Sequence, residues 1–227
     1  YKRQEKMATQ LKMQIATHTW VKEIHAEQQQ LTVIKDGAES TQPYSQLVLA
    51  VGANPIRLAI AGDGSNDIQV VNNLDDYKAF RAELEKRADK RVVILGAGLI
   101  GCEFANDLQH TGHQATVIDL ANQPLGRLLP AHVSSAFKEN LEATGIHFVL
   151  GTTVEKVSKI ENGDYVVTLA NGQSLVADVV LSAIGLQPSI SLAKEADIQT
   201  SRGILTNTQL ETNQPHIYAV GDCAEVN

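Results

Sequence analysis

The chain has 227 residues, 43% apolar and 20% charged, with a formal net charge of −7. That is ordinary globular composition, enough for one large domain or two small ones, with no basic face to suggest a nucleic-acid partner. No apolar run approaches the ~20 residues of a membrane-spanning helix, and the only two cysteines, Cys102 and Cys223, form neither a metal spacing nor a disulfide framework, which points to a reducing, cytoplasmic setting.

The chain opens on Tyr1 without an initiator methionine, which is expected of a fragment. Short alternating runs at Leu11 to Ile15, Trp20 to Ile24 and Leu31 to Lys35 predict strands of a small sheet. Tyr44 to Val51 predicts a buried strand ending at Gly52, and Asn54-Pro55 then predicts a loop and a boundary, because the residue before a proline leaves the helical region. Asp75 to Arg87 predicts a helix with Tyr77, Phe80 and Leu84 on one face, its acids in the first turn and its bases in the last. Arg91 to Leu95 reads as a buried parallel strand and Leu99 to Thr111 as a helix with Ile100, Phe104 and Leu108 on one face. Gln114 to Ile118 reads as a second strand ending in Asp119. Beyond Pro130 a helix with Val133, Phe137 and Leu141 inward is expected to end near Gly145 and feed the strand Ile146 to Leu150. Val154 to Ile160, Tyr165 to Leu169 and Ser174 to Ala177 predict antiparallel strands, the last two joined by the hairpin signal Asn171-Gly172. Val179 to Ala183 predicts a parallel strand closed by Gly185, and Ile217 to Val220 a strand ending at Gly221-Asp222.

Gly96, Gly98 and Gly101 form a Gly-x-Gly-x-x-Gly run between the first of these parallel strands and its helix, with Asp119 following at about the 20-residue spacing of a dinucleotide fingerprint. Gly96 permits the tight turn, Gly98 lets the backbone approach a pyrophosphate, and Gly101 lets the helix pack close to the strand. The unpaired N–H groups at the helix start favour an anion. A carboxylate at Asp119 can bond the adenosine ribose hydroxyls. It disfavours NADPH, since a 2′-phosphate about 4 Å away would cost up to roughly 4 kcal/mol at an effective dielectric of 20. Leu120, Ala121, Asn122 and Gln123 supply no cation to offset this. A doubly wound sheet whose glycines only close a turn is the alternative.

Three glycine-terminated strands, at Gly52, Gly185 and Gly221, flank this unit, and here the chain resembles the flavin-dependent pyridine nucleotide-disulfide oxidoreductases. Tyr44 to Ala53 is similar to the segment where that family's chain leaves its flavin domain. Gly203 to Asn207, Leu210 to Thr212 and Ile217 to Asp222 are similar to its re-entry. Within the family, the runs Gly96 to Ala105 and Gly221 to Glu225 resemble the bacterial rubredoxin-NAD reductases. The resemblance implies an α/β architecture in which a Rossmann-like NAD-binding domain (75–203) is inserted into a partial FAD-binding Rossmann-like domain (1–74 and 204–227). It also implies an NADH-dependent oxidoreductase with FAD and NAD as cofactors, passing electrons to rubredoxin or a similar small electron-transfer protein, in alkane degradation.

By the same resemblance Asp222 bonds the flavin ribityl chain, Glu103 faces flavin and nicotinamide, Leu99 and Ile100 lie beside nicotinamide and pyrophosphate, and Gly185 lines the NAD crevice. Val21 offers its backbone to the flavin adenine, while Gly52 and Gly221 end the flavin-domain strands. From the residues alone, Asp222 reads equally as a turn cap, Glu103 as a first-turn helix acid, and Leu99, Ile100 and Val21 as packing residues. The family's own N-terminal glycine unit for FAD is absent from these residues, so the flavin domain is expected to be incomplete. The Cys-x-x-Cys of thioredoxin reductase types is missing from 75–95. Cys102 could be activated by its helix N-terminus or be an inert buried thiol, and His110 with His113 reads as a solvated pair rather than a metal site. Lys86, Arg87, Lys90 and Arg91 could dock an acidic electron-transfer partner or simply close a helix. The remaining alternatives are a related flavin-dependent oxidase, ferredoxin reductase or disulfide reductase, and a non-enzymatic NAD-binding module.

Overall fold

The computed structural model describes residues 4–86, 89–161 and 163–227. The chain begins with α1 (Gln4–Leu11), then the antiparallel meander β1 (Thr19–His25), β2 (Gln30–Lys35) and β3 (Ala38–Pro43), then β4 (Leu47–Leu49) and β5 (Ala53–Pro55). Leu11 to Ile15 is therefore not a strand. Leu11 closes a helix and Lys12 turns to φ +52°. Leu11, Met13 and Ile15 stay exposed. A strand needs a neighbouring edge, and this segment pairs with none among the described residues. β3 escapes a periodicity reading because all its residues are exposed, but Asp36 (φ +49°) and Gly37 (φ +83°) make the two-residue turn that an Asp-Gly pair favours.

The middle of the chain carries α2 (Leu74–Leu84), β6 (Arg91–Leu95), α3 (Leu99–His110), β7 (Gln114–Asp119), α4 (Ala131–Ala143) and β8 (His147–Leu150). There follow β9 (Val154–Lys159), β10 (Tyr165–Leu169), β11 (Ser174–Ala177), β12 (Val179–Ser182) and β13 (Leu186–Pro188). α2 starts where Asn73 accepts from the N–H groups of Asp75 and Asp76, both at 2.9 Å. Its expected extension to Arg87 lies in part outside the described residues. The parallel sheet runs β12-β6-β7-β8, and β9, β10 and β11 form a separate antiparallel meander. One core joins Phe80, Ile94, Val117 and Leu181 to Cys102, Ala105 and Leu108 of α3. Another joins Val93, Leu95, Ile118 and Val180 to Val157, Val167 and Leu169 of the meander. Neighbouring residues of β6 belong to different cores, so the strand is buried on both faces and reads as a continuous apolar run. On α3 the buried stripe is Gly101, Cys102, Ala105 and Leu108, not the one through Ile100; on α4, Phe137 and Leu141 pack inward while Val133 is exposed and Ser134 is buried.

The return adds α5 (Ser191–Glu195), β14 (Ile204–Thr206), β15 (Ile217–Ala219) and β16 (Ala224–Val226), with β15 parallel to β4 and β14 parallel to β16. The architecture is α/β, with a Rossmann-like parallel unit inserted between the two halves of a second unit. The compact units are 1–53 with 188–227, and 54–187. These limits differ from 74/75 and 203/204 for a packing reason. Residues 54–73 bond the inserted unit through Ala61 beside Lys156 and Gln69 beside Leu181, whereas Ala193, Ala196 and Ile198 share a core with Ile24, Leu49 and Ile217.

At the N-terminal end of β6, Arg91 donates to Asp178 through Nε (3.0 Å), Nη2 (3.0 Å) and its backbone N–H (2.7 Å), and through Nη2 to Asp164 (2.7 Å). Burial alone would push the Asp178 carboxyl up. The bonds from Arg91 outweigh it and hold that carboxyl below the usual carboxylate range. A lowered folded pKa contributes stability that is fully present above the unfolded value near 4 and is lost as pH falls through the folded value. Arg91→Met is expected to lower unfolding free energy by about 3 kcal/mol, since it strands buried carboxylates. It should also flatten the acid limb of stability against pH, checked by urea unfolding between pH 3 and 7.

Candidate nucleotide site

The three motif glycines are required for three different reasons. Gly96 leaves β6 at φ +105° with its N–H on Ile118 O at 2.7 Å, and a Cβ there would stand 2.6 Å from Ala183 O. A Cβ on Gly101 would stand 1.9 Å from Gly96 O, so the first turn of α3 rests on the turn before it. Gly98 differs, because its φ of −79° is open to any residue and a Cβ would meet nothing within 4 Å. The protein itself does not need glycine at 98; what the missing side chain leaves free is the approach to the start of α3. Gly98 is the N-cap and supplies no side-chain cap, so the first-turn N–H groups remain available to an anion. Leu99 and Ile100 follow with 62% and 54% exposure, and Glu103 is exposed one turn on.

Asp119 holds this loop directly. Its Oδ2 accepts from Ala97 N–H at 2.6 Å and its Oδ1 from Ala121 N–H at 2.7 Å. Each oxygen keeps acceptor capacity for a further donor. Ala97 O in turn accepts from Leu125 N–H at 2.8 Å, with Leu125 in the left-handed region at φ +53° and buried in the same core as α3. Sequence reasoning missed Leu125, and no signal would have found it, since leucine does not advertise that conformation.

β6 and β12 are neighbours, and the chain reaches β7 on one side of β6 and β12 on the other. In open α/β sheets such a switch point is the ligand crevice. Gly96 and Gly185 stand at the C-terminal ends of these two strands. Gly185 is exposed at φ +113°, and its carbonyl accepts from Ile56 N–H at 3.1 Å. The inserted unit thus gathers Gly96, Gly98, Leu99, Ile100, Gly101, Glu103, Asp119 and Gly185. In the other unit β4 and β15 pair with Ala219 opposite Leu49, and Gly52 (φ +66°) and Gly221 (φ +73°) turn at the same end of that pair. Asp222 follows in a 3-10 turn, exposed and without a partner among the described residues. Val21 lies on the separate meander, 40% exposed beside a register shift in β1.

The other candidates are structural. Burial, and then the Asp119 charge, pushes the Cys102 thiol up to about 11, and it donates to Ala97 O. Burial, with Arg81 and Lys90, lowers His113, and His110 lies against Asn106 O. Among the described residues no cluster of acids, histidines and cysteines could hold a metal. Of the basic run, Arg91 is engaged by its carboxylates, Lys90 is buried and Lys86 pairs with Glu83, while Arg87 lies outside the described residues.

A family model described as pyridine nucleotide-disulphide oxidoreductase matches residues 2–227. The chain belongs to that family. It is 74% identical to a rubredoxin-NAD(+) reductase of Acinetobacter baylyi, over 98% of this chain and 57% of that protein. It is 44% identical to a rubredoxin-NAD(+) reductase of Alcanivorax borkumensis, over 98% of this chain and 56% of that protein. Among solved structures, a covalent putidaredoxin reductase–putidaredoxin complex matches with a TM-score of 0.90 and 30% identity, covering all of this chain and 54% of that one. The chain therefore spans a little over half the length of the curated relatives it matches.

The family glycine loop makes its own test. Gly101→Ala forces backbone against backbone and is expected to cost about 3 kcal/mol of stability or more. Gly98→Ala should leave the thermal midpoint within about 1 °C and instead weaken dinucleotide binding at least tenfold. Thermal unfolding and titration calorimetry on the two variants separate these effects.

Proposed function

We propose that the chain is the NADH-binding unit and part of the flavin-binding unit of a cytoplasmic reductase. It would pass electrons from NADH through FAD to rubredoxin or a similar small electron-transfer protein, in support of alkane hydroxylation. The observation that carries this reading is the high identity to the Acinetobacter rubredoxin-NAD(+) reductase along nearly the whole of this chain. The likeness to a reductase solved in complex with putidaredoxin supports a small protein as acceptor.

The residues fit both cofactors. Gly98 leaves space where a pyrophosphate would approach α3, and Asp119 keeps acceptor capacity for ribose hydroxyls. Asp222 is exposed and unengaged just past Gly221, as a carboxylate meant for a hydroxyl-bearing chain would be. FAD, when bound, supplies the chemistry of taking a hydride and releasing electrons one at a time.

The chain's own contribution is placement. The α3 N-terminus and Gly98 hold the pyrophosphate of NADH, Asp119 takes the adenosine ribose, and Leu99 and Ile100 cover the nucleotide beyond the loop. Gly185 leaves the crevice wall bare so that the nicotinamide can lie against backbone, and Glu103 faces the reacting rings. On the flavin side Gly52 and Gly221 end their strands without side chains, Asp222 bonds the ribityl chain, and the backbone at Val21 meets the adenine. Two experiments test this reading. The full-length protein should be yellow and bleach with anaerobic NADH but poorly with NADPH, and a colourless protein that still binds NADH would replace it with a stand-alone nucleotide module. Asp119→Ala should raise KM for NADH while narrowing its lead over NADPH; an unchanged ratio would show that another group sets cofactor choice.

A further inference from the structure

Residues 56–70 run past β9 and the outer edge of β12 and are fastened at several points. Ile56 N–H donates to Gly185 O (3.1 Å), Ala61 N–H to Glu155 O (3.1 Å) and Gln69 N–H to Val180 O (2.8 Å). Between these points a 3-10 turn, Ser65–Asp67, lies against β9. Gly64 N–H donates to Val157 O at 3.0 Å, and a Cβ on Gly62 would fall 2.1 Å from the same oxygen. The Asp67 carboxylate takes Lys159 Nζ at 2.7 Å and the Tyr165 hydroxyl at 3.1 Å. Burial, and then that bond, pushes Tyr165 up to about 12. The turn is thus held at both ends and from below.

This frame borders a half-open pocket of about 240 Å³, lined by Ile56, Arg57, Ile60, Asn66, Ile68 and Ser182 among others, with Arg57 and Asn66 exposed at its rim. It lies wholly within the inserted unit. At less than the ~300 Å³ of a small drug-sized site it is too small for a dinucleotide. Of its polar side chains, Ser65 donates its hydroxyl to Gly62 O at 2.8 Å, whereas those of Arg57, Asn66 and Ser182 have no hydrogen-bond or ion-pair partner among the described residues. One guanidinium, one carboxamide and one hydroxyl, set beside isoleucine walls, make a donor set for a planar oxyanion that carries a short hydrocarbon tail. The fastened backbone fixes the points from which these side chains reach a ligand.

We propose that this pocket binds small monocarboxylates, independently of the nucleotide crevice. Arg57 takes the carboxylate, Asn66 and Ser182 complete its hydrogen bonds, and Ile56, Ile60 and Ile68 cover a chain of a few carbons. The test is titration calorimetry on the full-length protein at saturating NAD+, using butyrate and hexanoate as ligands and hexanol and inorganic phosphate as controls. Hexanoate is expected to bind saturably at one site and more tightly than butyrate, with hexanol silent. Affinity should fall at least tenfold in Arg57→Gln, recover in part in Arg57→Lys, and fall in Ser182→Ala, with thermal midpoints unchanged. No saturable binding, loss of binding when NAD+ is present, or undiminished binding in Arg57→Gln overturns the proposal. Phosphate binding as tightly as hexanoate overturns the carboxylate assignment.

Discussion

The nucleotide site depends on how closely α3 sits on the end of β6. No side chain fits between Gly101 and Gly96 O, and that contact sets the height at which the helix N-terminus emerges from the sheet. Ala97 lies between the two glycines, with its N–H given to Asp119 and its carbonyl taken by Leu125. A helix terminus serves an anion only when its N–H groups are aimed, and here the aim comes from a backbone clamped on both faces. Asp119 thus braces the loop from below through both of its oxygens, each of which keeps further acceptor capacity.

The opposite end of β6 is built by other means. There the arginine that begins the strand is surrounded by carboxylates, one of them fully buried, and these bonds tie β6 to the segment just before β12. Burial of ions rarely adds net stability over an apolar alternative, but removing one partner of such a set is costly. The effect is to specify which strand lies beside β6. That choice of neighbour creates the switch point, so a charge cluster at one end of the sheet helps to determine where the crevice opens at the other.

Much of this was legible in the residues. Val92 to Leu95 could be read as a doubly buried strand because its apolar run is continuous, and the glycine spacing marked the turn between β6 and α3. What stayed hidden follows one pattern. The burial of α3 turns on small residues, Gly101 and Ala105, which carry little hydropathy, so the visible stripe pointed to Ile100, which the fold leaves exposed. β3 has no apolar side to detect. The unit limits depend on Ala61 and Gln69 bonding to strands far along the chain, which no local pattern records. The basic run stayed undecided between docking and helix closure, because charge in sequence does not reveal which cations are already engaged by partners.

The state of Cys102 carries a consequence for chemical durability. Peroxides attack thiolates far faster than thiols, and this sulfur, the one nearest the glycine loop, is buried and held in its protonated form. With Cys102 held as the thiol, the first turn of α3 presents no reactive sulfur to such oxidants.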